Sequence, residues 1–265
     1  MGRYRHFLWF SALCSVVDPL SGMATKSLDE SSDGDVSVST MTVLGFGSLL
    51  SEKSSRLTFP TLQNFRLGRV QGYRRVFRHT PASFVRKGIA LRESMEMASV
   101  SAEKVSSDNV GFVCAVFEVP SLLRQQDGLP SADFREREEA FEIKTNVPYL
   151  DYTTGQTKDN GILCTSSSDE AYIAQWGQER FDDKYGTVLG TLWGWGPDSG
   201  LLPSPVYLRH CVLAAQKLGD QAYQSFLDET FLIDRQTTVR QYLASRPDIL
   251  DMTPPPQVAI QYGGE

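Results

Sequence analysis

Up to residue 147 the apolar residues fall in short runs or alternate with polar ones, the period-two spacing of strands; beyond Asp169 they recur every three or four residues, as on one helix face. The run Met41-Thr42-Val43-Leu44 predicts a buried strand, broken where Gly45 and Gly47 flank Phe46. Further strands are expected over residues 65–77, 88–92, 110–119, 141–147 and 161–164, with Pro120 as the stop of the strongest. Residues 93–109 are polar and predict a loop. Helical character is expected from Ser121, interrupted at residues 127–130 and resumed over 132–140. Later helices are predicted over residues 170–175, 205–218, 221–231 and 238–245. Val206, Leu208, Val212, Leu213 and Leu218 form the apolar face of the second, and Gly219 is its C-cap. Strands first and helices late predict an α+β fold and no doubly wound sheet.

The ends of the chain read differently. Residues 1–23 open with Arg3, Arg5 and His6 and continue in an apolar run ended by Asp18 and Pro19, the shape of a targeting segment. That run is too short for a spanning helix of about 20 residues. An upstream extension, with the domain starting at Met23 or Met41, is the alternative reading. The expected location is therefore cytoplasmic, or an organelle or the secretory pathway if the segment is used. Residues 24–40 are polar and serine-rich, with little to bury, and predict a disordered linker. The expected organisation is a targeting-like segment and linker over 1–40, one domain over 41–246, and an extended tail over 247–265 carrying Pro247, Pro254, Pro255 and Pro256. Both ends are expected to be dispensable.

At 265 residues and 41% hydrophobic content the chain can build a packed core. A formal net charge of −6, with no basic face, argues against binding a phosphate backbone, so no nucleic-acid partner is expected. The basic stretch 66–78 interleaves its arginines with Val70, Tyr73, Val76 and Phe77 and reads as structure. Cys14, Cys114, Cys164 and Cys211 are widely separated, with no C-x-x-C pair and no histidine placed to complete a metal quartet. The only histidines are His6, His79 and His210, and no G-x-S-x-G elbow supports a hydrolase triad. No metal, no cofactor and, for the mature form, no membrane are expected.

Two stretches carry candidate chemistry. In the first, Gly45, Phe46, Gly47, Ser48 and Leu49 let the backbone turn sharply, pointing several N–H groups at one spot, a nest for a carboxylate or phosphate; an ordinary strand end is the alternative. The second is Phe134-Arg135-Glu136-Arg137-Glu138-Glu139-Ala140-Phe141. On a helix Phe134 and Phe141, nearly two turns apart, share one face, and Glu138 falls on it while Glu136 and Glu139 point elsewhere. Desolvation there would raise the Glu138 carboxyl above its usual value of about 4.3, suiting a general base near neutrality. The plain alternative is a solvated charged helix.

Together these stretches resemble the γ-glutamylcyclotransferase superfamily. Phe46-Gly47-Ser48-Leu49 is similar to its aromatic-Gly-Ser-Leu loop, and Val70 to Phe77, with Gly72, Tyr73, Arg74 and Arg75, to its second motif. The strand Val116-Phe117-Glu118-Val119-Pro120 also matches, and Arg137-Glu138 with Phe141 is similar to the Arg-Glu-x-x-Tyr that carries the catalytic acid. Phe46 and Phe141 stand where tyrosine is commoner, and Asp133-x-x-Glu136 offers a second register, so Glu136 is the alternative acid to Glu138. The resemblance implies a small mixed β-barrel with flanking helices. It further implies that residues 45–49 bind the α-carboxylate of a γ-glutamyl compound, possibly glutathione, and that the acid drives its cyclisation to 5-oxoproline without cofactor. Tyr207 would line the pocket or serve as a half-buried core residue. A non-catalytic binding module of the same fold, and an enzyme acting on another γ-glutamyl conjugate, are the alternatives; residues 93–109 would supply the leaving-group contacts.

Overall fold

In the computed structural model, which describes residues 40–107, 109–120 and 130–264, the strands are β1 (Thr40–Gly45), β2 (Gln63–Gln71), β3 (Tyr73–His79), β4 (Glu96–Lys104), β5 (Gly111–Pro120), β6 (Glu142–Asp151), β7 (Gln156–Thr165), β8 (Leu202–Pro203) and β9 (Thr230–Phe231). Residues 1–39 of the expected targeting segment and linker, and residues 121–129 of the expected helical start and interruption, lie outside the described residues, while Thr40 of the expected linker opens β1.

β1 is buried on both faces. Met41 and Val43 join Phe59, Phe117 and Ile162 on one side, while Leu44 joins Phe112 and Val116 on the other. Two-sided burial explains why its sequence is a continuous apolar run instead of an alternating one. It pairs antiparallel with β5, β5 with β2, β2 with β6 and β6 with β7. Parallel pairing of β7 with β1, Thr42 opposite Gly161, closes the five strands into a barrel. From β7 the sheet continues outward through β4 and β3 to β9, with β8 on the other side of β4. The fold is α+β: a closed mixed barrel with helices packed against it.

The arginines of stretch 66–78 are paired within this frame. Arg66 reaches Glu118 and Asp151, Arg69 reaches Glu229, and Arg74 and Arg78 reach Glu103. The buried Arg75 guanidinium donates to the carbonyls of Val113 (3.1 Å) and Ser225 (2.6 Å), between the rings of Phe112 and Phe226.

Several expectations need correction. The strand expected over 65–77 is two strands, parted at Gly72, whose φ of 74° suits glycine. Residues 93–109 are no loop: β4 runs through them with Met97 to Ala102 all buried. Its Ser and Ala residues look polar and weakly strand-forming, yet Ser101 bonds the Val76 carbonyl at 3.2 Å and so can be buried at little cost. Residues 88–92 form only an isolated bridge, Leu91 to Glu96. The helix expected over 221–231 is Asp220–Asp228, after which β9 pairs in parallel with β3.

The tail is not extended. Pro247–Asp251 and Pro256–Val258 are 3₁₀ turns and Ala259–Tyr262 is a short helix, burying Ile249, Val258 and Tyr262. The prolines start these turns at positions where no N–H is needed. His210 clamps the segment: the Gly264 amide donates to Nδ1 (3.1 Å), so Nε2 carries the proton and faces the Ser54 hydroxyl (3.3 Å), which donates to the Gln261 carbonyl (3.0 Å). No helix among the described residues is long and apolar enough to cross a membrane.

Candidate active site

Gly45 ends β1 paired with Ala115, and Phe46 then anchors the chain edge-on to Phe112, ring centroids 5.8 Å apart. After Gly47 a 3₁₀ turn, Ser48–Leu50, doubles back, closed by the Leu50 amide on the Gly47 carbonyl at 3.0 Å. Space dictates the glycine: a Cβ on Gly47 would lie 2.3 Å from the Tyr207 hydroxyl and 2.7 Å from Val100 Cγ1. Tyr207, on the helix Pro205–Lys217, is buried among Phe77, Phe84 and Tyr262, and its hydroxyl accepts the Ser48 amide at 3.3 Å. Among the described residues the amides of Gly47 and Leu49 donate to no protein acceptor. Unpaired donors on one tight turn suit a single carboxylate.

The acidic segment starts as expected and ends early. Ser131 caps the helix Ala132–Arg137 by accepting the Phe134 amide at 3.3 Å, and buried Phe134 stacks on Phe59 at 6.0 Å. The helix stops at Arg137, so Glu138 does not share a helical face with Phe141 as the spacing predicts. It is the C-cap residue, in non-helical backbone, and a turn from the Phe141 amide to the Glu138 carbonyl (2.9 Å) redirects the chain into β6. Phe141 packs on His79 (4.5 Å) and Trp193 (5.5 Å), and the Trp193 indole donates to the Ala140 carbonyl at 2.8 Å. Asp169 fixes that tryptophan by accepting its amide at 2.7 Å.

The three glutamates separate by environment. Glu136 is exposed and lies 3.4 Å from Arg180. Glu139 is neutralised by Arg180 and by Lys184, the latter at 2.5 Å. Glu138 is half-buried, and its carboxylate has no hydrogen-bond or ion-pair partner among the described residues. Burial lifts its pKa to about 7, with the nearby Arg137 charge opposing only in part.

One cavity of about 360 Å³ is lined by residues 45–49, Tyr207 and Glu138 together. Glu136 is not on its wall. The cavity also presents His79, Ser99, Cys164 and Tyr262, which sequence reasoning did not assign to the site. His79 is 6% exposed, and burial pushes its pKa down to about 3. Its Nδ1 lies 2.7 Å from Ser99 Oγ, and its Nε2 has no partner among the described residues. A lone histidine at a strand end, twenty residues before its serine, gives no motif; only the pairing of β3 with β4 joins them. Cys164 is near enough to Glu138 for the carboxylate charge to help raise its thiol pKa, after the larger effect of burial.

No family model and no curated protein sequence matches the chain. Among solved structures it is similar to a gamma-glutamyl cyclotransferase, at 13% identity and a TM-score of 0.38, over 68% of this chain and 81% of that one. It is similar also to an uncharacterised human protein, at 13% identity and a TM-score of 0.39, over 68% and 80% of the two chains. A third is a yeast gamma glutamyl cyclotransferase specific to glutathione, at 14% identity and a TM-score of 0.37, over 80% and 96%. At these values the likeness decides nothing about chemistry, for which the cavity itself is the guide.

Proposed function

We propose that this protein is a cyclotransferase that converts a γ-glutamyl amide to 5-oxoproline and a free amine, with Glu138 as the single general acid and base. The observation that carries this is the meeting, in one cavity, of an unpartnered carboxyl raised to about 7 with a turn of unpaired amides. A cavity of about 360 Å³ suits a small molecule.

The amides of Gly47 and Leu49 hold the substrate α-carboxylate, with Tyr207 fixing the turn through Ser48. Glu138, ionised, takes a proton from the α-ammonium. The freed amine attacks the γ-carbonyl carbon of the same molecule, forming the C–N bond of a five-membered lactam. As the tetrahedral intermediate collapses, the bond to the departing nitrogen breaks and Glu138 returns its proton to that nitrogen; the carboxylate then passes the second proton of the attacking nitrogen to the released amine, which leaves as its ammonium. Each cycle ends with Glu138 ionised again and the products 5-oxoproline and amine. Because nucleophile and electrophile belong to one substrate, holding it folded supplies a high effective molarity. A pKa near 7 lets one carboxyl serve as base and then as acid at neutral pH.

A non-catalytic binding module would tolerate this acid on the solvent face; the placement of Glu138 on the wall shared with Gly47 and Ser48 favours the enzyme. Within 93–109, Ser99 and Val100 of β4 line the cavity, and further leaving-group contacts fall to cavity residues such as Ser83, Tyr185, Gln261 and Tyr262. The test is incubation of purified protein with glutathione, γ-glutamyl amino acids and γ-glutamyl-lysine, with detection of 5-oxoproline. Absence of 5-oxoproline from every one of them would refute the proposal.

A further inference from the structure

His79 closes β3 with its ring fixed on three sides, by Ser99 at Nδ1 (2.7 Å) and by the rings of Phe141 (4.5 Å) and Trp193 (5.0 Å). Ser99 Oγ also lies 3.4 Å from the His79 carbonyl oxygen. A serine hydroxyl has one proton to give. If it goes to the carbonyl, an Oγ lone pair remains for an Nδ1 proton, and both contacts form at once. If it goes to Nδ1, the carbonyl contact is not made. The pair therefore selects the tautomer with Nδ1 protonated, which leaves Nε2 with its lone pair. Nε2 is buried and has no protein partner among the described residues, while the ring lines the same cavity as Glu138 and Gly47. A buried acceptor without a donor is costly, and native proteins rarely keep one for no purpose.

We infer that His79 Nε2 accepts a hydrogen bond from the N–H of the scissile γ-amide, so that His79, oriented by Ser99 as positioning residue, selects amide over ester leaving groups. The inference rests on the proposed function and assigns its remaining contact. In a γ-glutamyl amide the α-carboxylate is matched by the loop amides and the α-ammonium by Glu138. The γ-carbonyl oxygen is itself an acceptor and cannot pair with a lone pair. At the γ-group itself the scissile N–H is the one donor. Burial holds the imidazole neutral, with its pKa near 3, so the acceptor persists across the working pH range.

Two measurements on the full chain test this. In ¹⁵N NMR of histidine-labelled protein, the His79 ring is expected as the Nδ1–H tautomer; an Nε2–H tautomer overturns the inference. In kinetics, kcat/KM is compared for a γ-glutamyl amide and the matching γ-glutamyl ester. His79→Phe, which keeps an aromatic ring in the slot, should lower the amide-to-ester ratio about ten-fold, the size of one hydrogen bond. Ser99→Ala, which frees the tautomer without emptying the slot, should lower it several-fold. His79→Gln, whose side-chain oxygen reaches a similar point to Nε2, should restore much of the ratio. An unchanged ratio in both His79→Phe and Ser99→Ala, even with slower turnover, would mean a structural ring and overturn the assignment. A wild-type protein inactive on amides and esters alike would instead remove the cyclotransferase reading, and the leaving-group contact with it, whatever the tautomer.

Discussion

The hydroxyl of Tyr207 occupies the space that a side chain on Gly47 would need, 2.3 Å from the site of its Cβ, while it accepts the Ser48 amide. Turn and tyrosine are thereby one unit. Gly47→Ala must push the tyrosine or the turn aside, since Val100 blocks the other direction at 2.7 Å. A destabilisation of about 1–3 kcal/mol is expected from such overpacking. Thermal melts should show it, and the KM for a γ-glutamyl substrate should rise as the amides lose their common aim.

Glu138→Gln keeps the shape of the acid and removes its proton chemistry. Turnover should fall by about 10²–10⁴-fold while substrate binding survives. Glu136→Gln, at an exposed position paired weakly with Arg180, should cost little. Should Glu136→Gln be the inactive variant and Glu138→Gln the active one, the acid would have been assigned to the wrong residue. Measured 5-oxoproline release from the two variants decides.

The raised carboxyl predicts two pH dependences. As a base Glu138 must be ionised in the free enzyme, so kcat/KM should climb with pH through about 7. Stability runs the other way. The folded protein holds the Glu138 proton more tightly than the unfolded chain, so no penalty exists below about 4.5 and it grows as pH rises to about 7, reaching up to about 3 kcal/mol above that. Glu138→Gln should therefore be more stable than wild type at pH 8, and the gap should close by pH 4. Denaturant melts at the two pH values measure it.

Removing residues 247–265 should unfold or severely weaken the domain. The cut deletes the buried side chains of Ile249, Val258 and Tyr262, each contributing about 1.5–3 kcal/mol, and the His210 clamp with them. That loss approaches the whole stability of about 5–15 kcal/mol expected of a domain. Circular dichroism melts of the shortened chain against the full one provide the check; a melting point within a few degrees of the parent would contradict it.

How far the sequence reveals this molecule depends on where each residue finds its partners. β1, β5 and the turn at Gly45 and Gly47 were readable, because local runs and punctuation specify them. The order of strands before helices pointed correctly to α+β. β4 was not readable, since its burial depends on serine hydroxyls satisfied by neighbouring strands, which no local pattern announces. The acid shows the same limit in another form. Periodicity singled out Glu138, but assumed a helix through Ala140, whereas the structure ends the helix at Arg137 and carries Glu138 to the cavity on a turn. His79 and Tyr262 reach the cavity only through β-pairing and the folding back of the last segment, both invisible to spacing along the chain.

The closing pair of the barrel has a kinetic meaning. Thr42 must find Gly161 across most of the domain, and contacts between such distant positions form slowly because loop-closure entropy opposes them. The turn continues from β1 and the acid leads into β6, the hairpin partner of β7, so each is carried by one of the two sides of that seam, and a chain with its hairpins formed but its seam open has no complete pocket. On dilution from denaturant, far-UV signal should return ahead of catalytic competence, and the lag between the two would report the time the seam takes to zip.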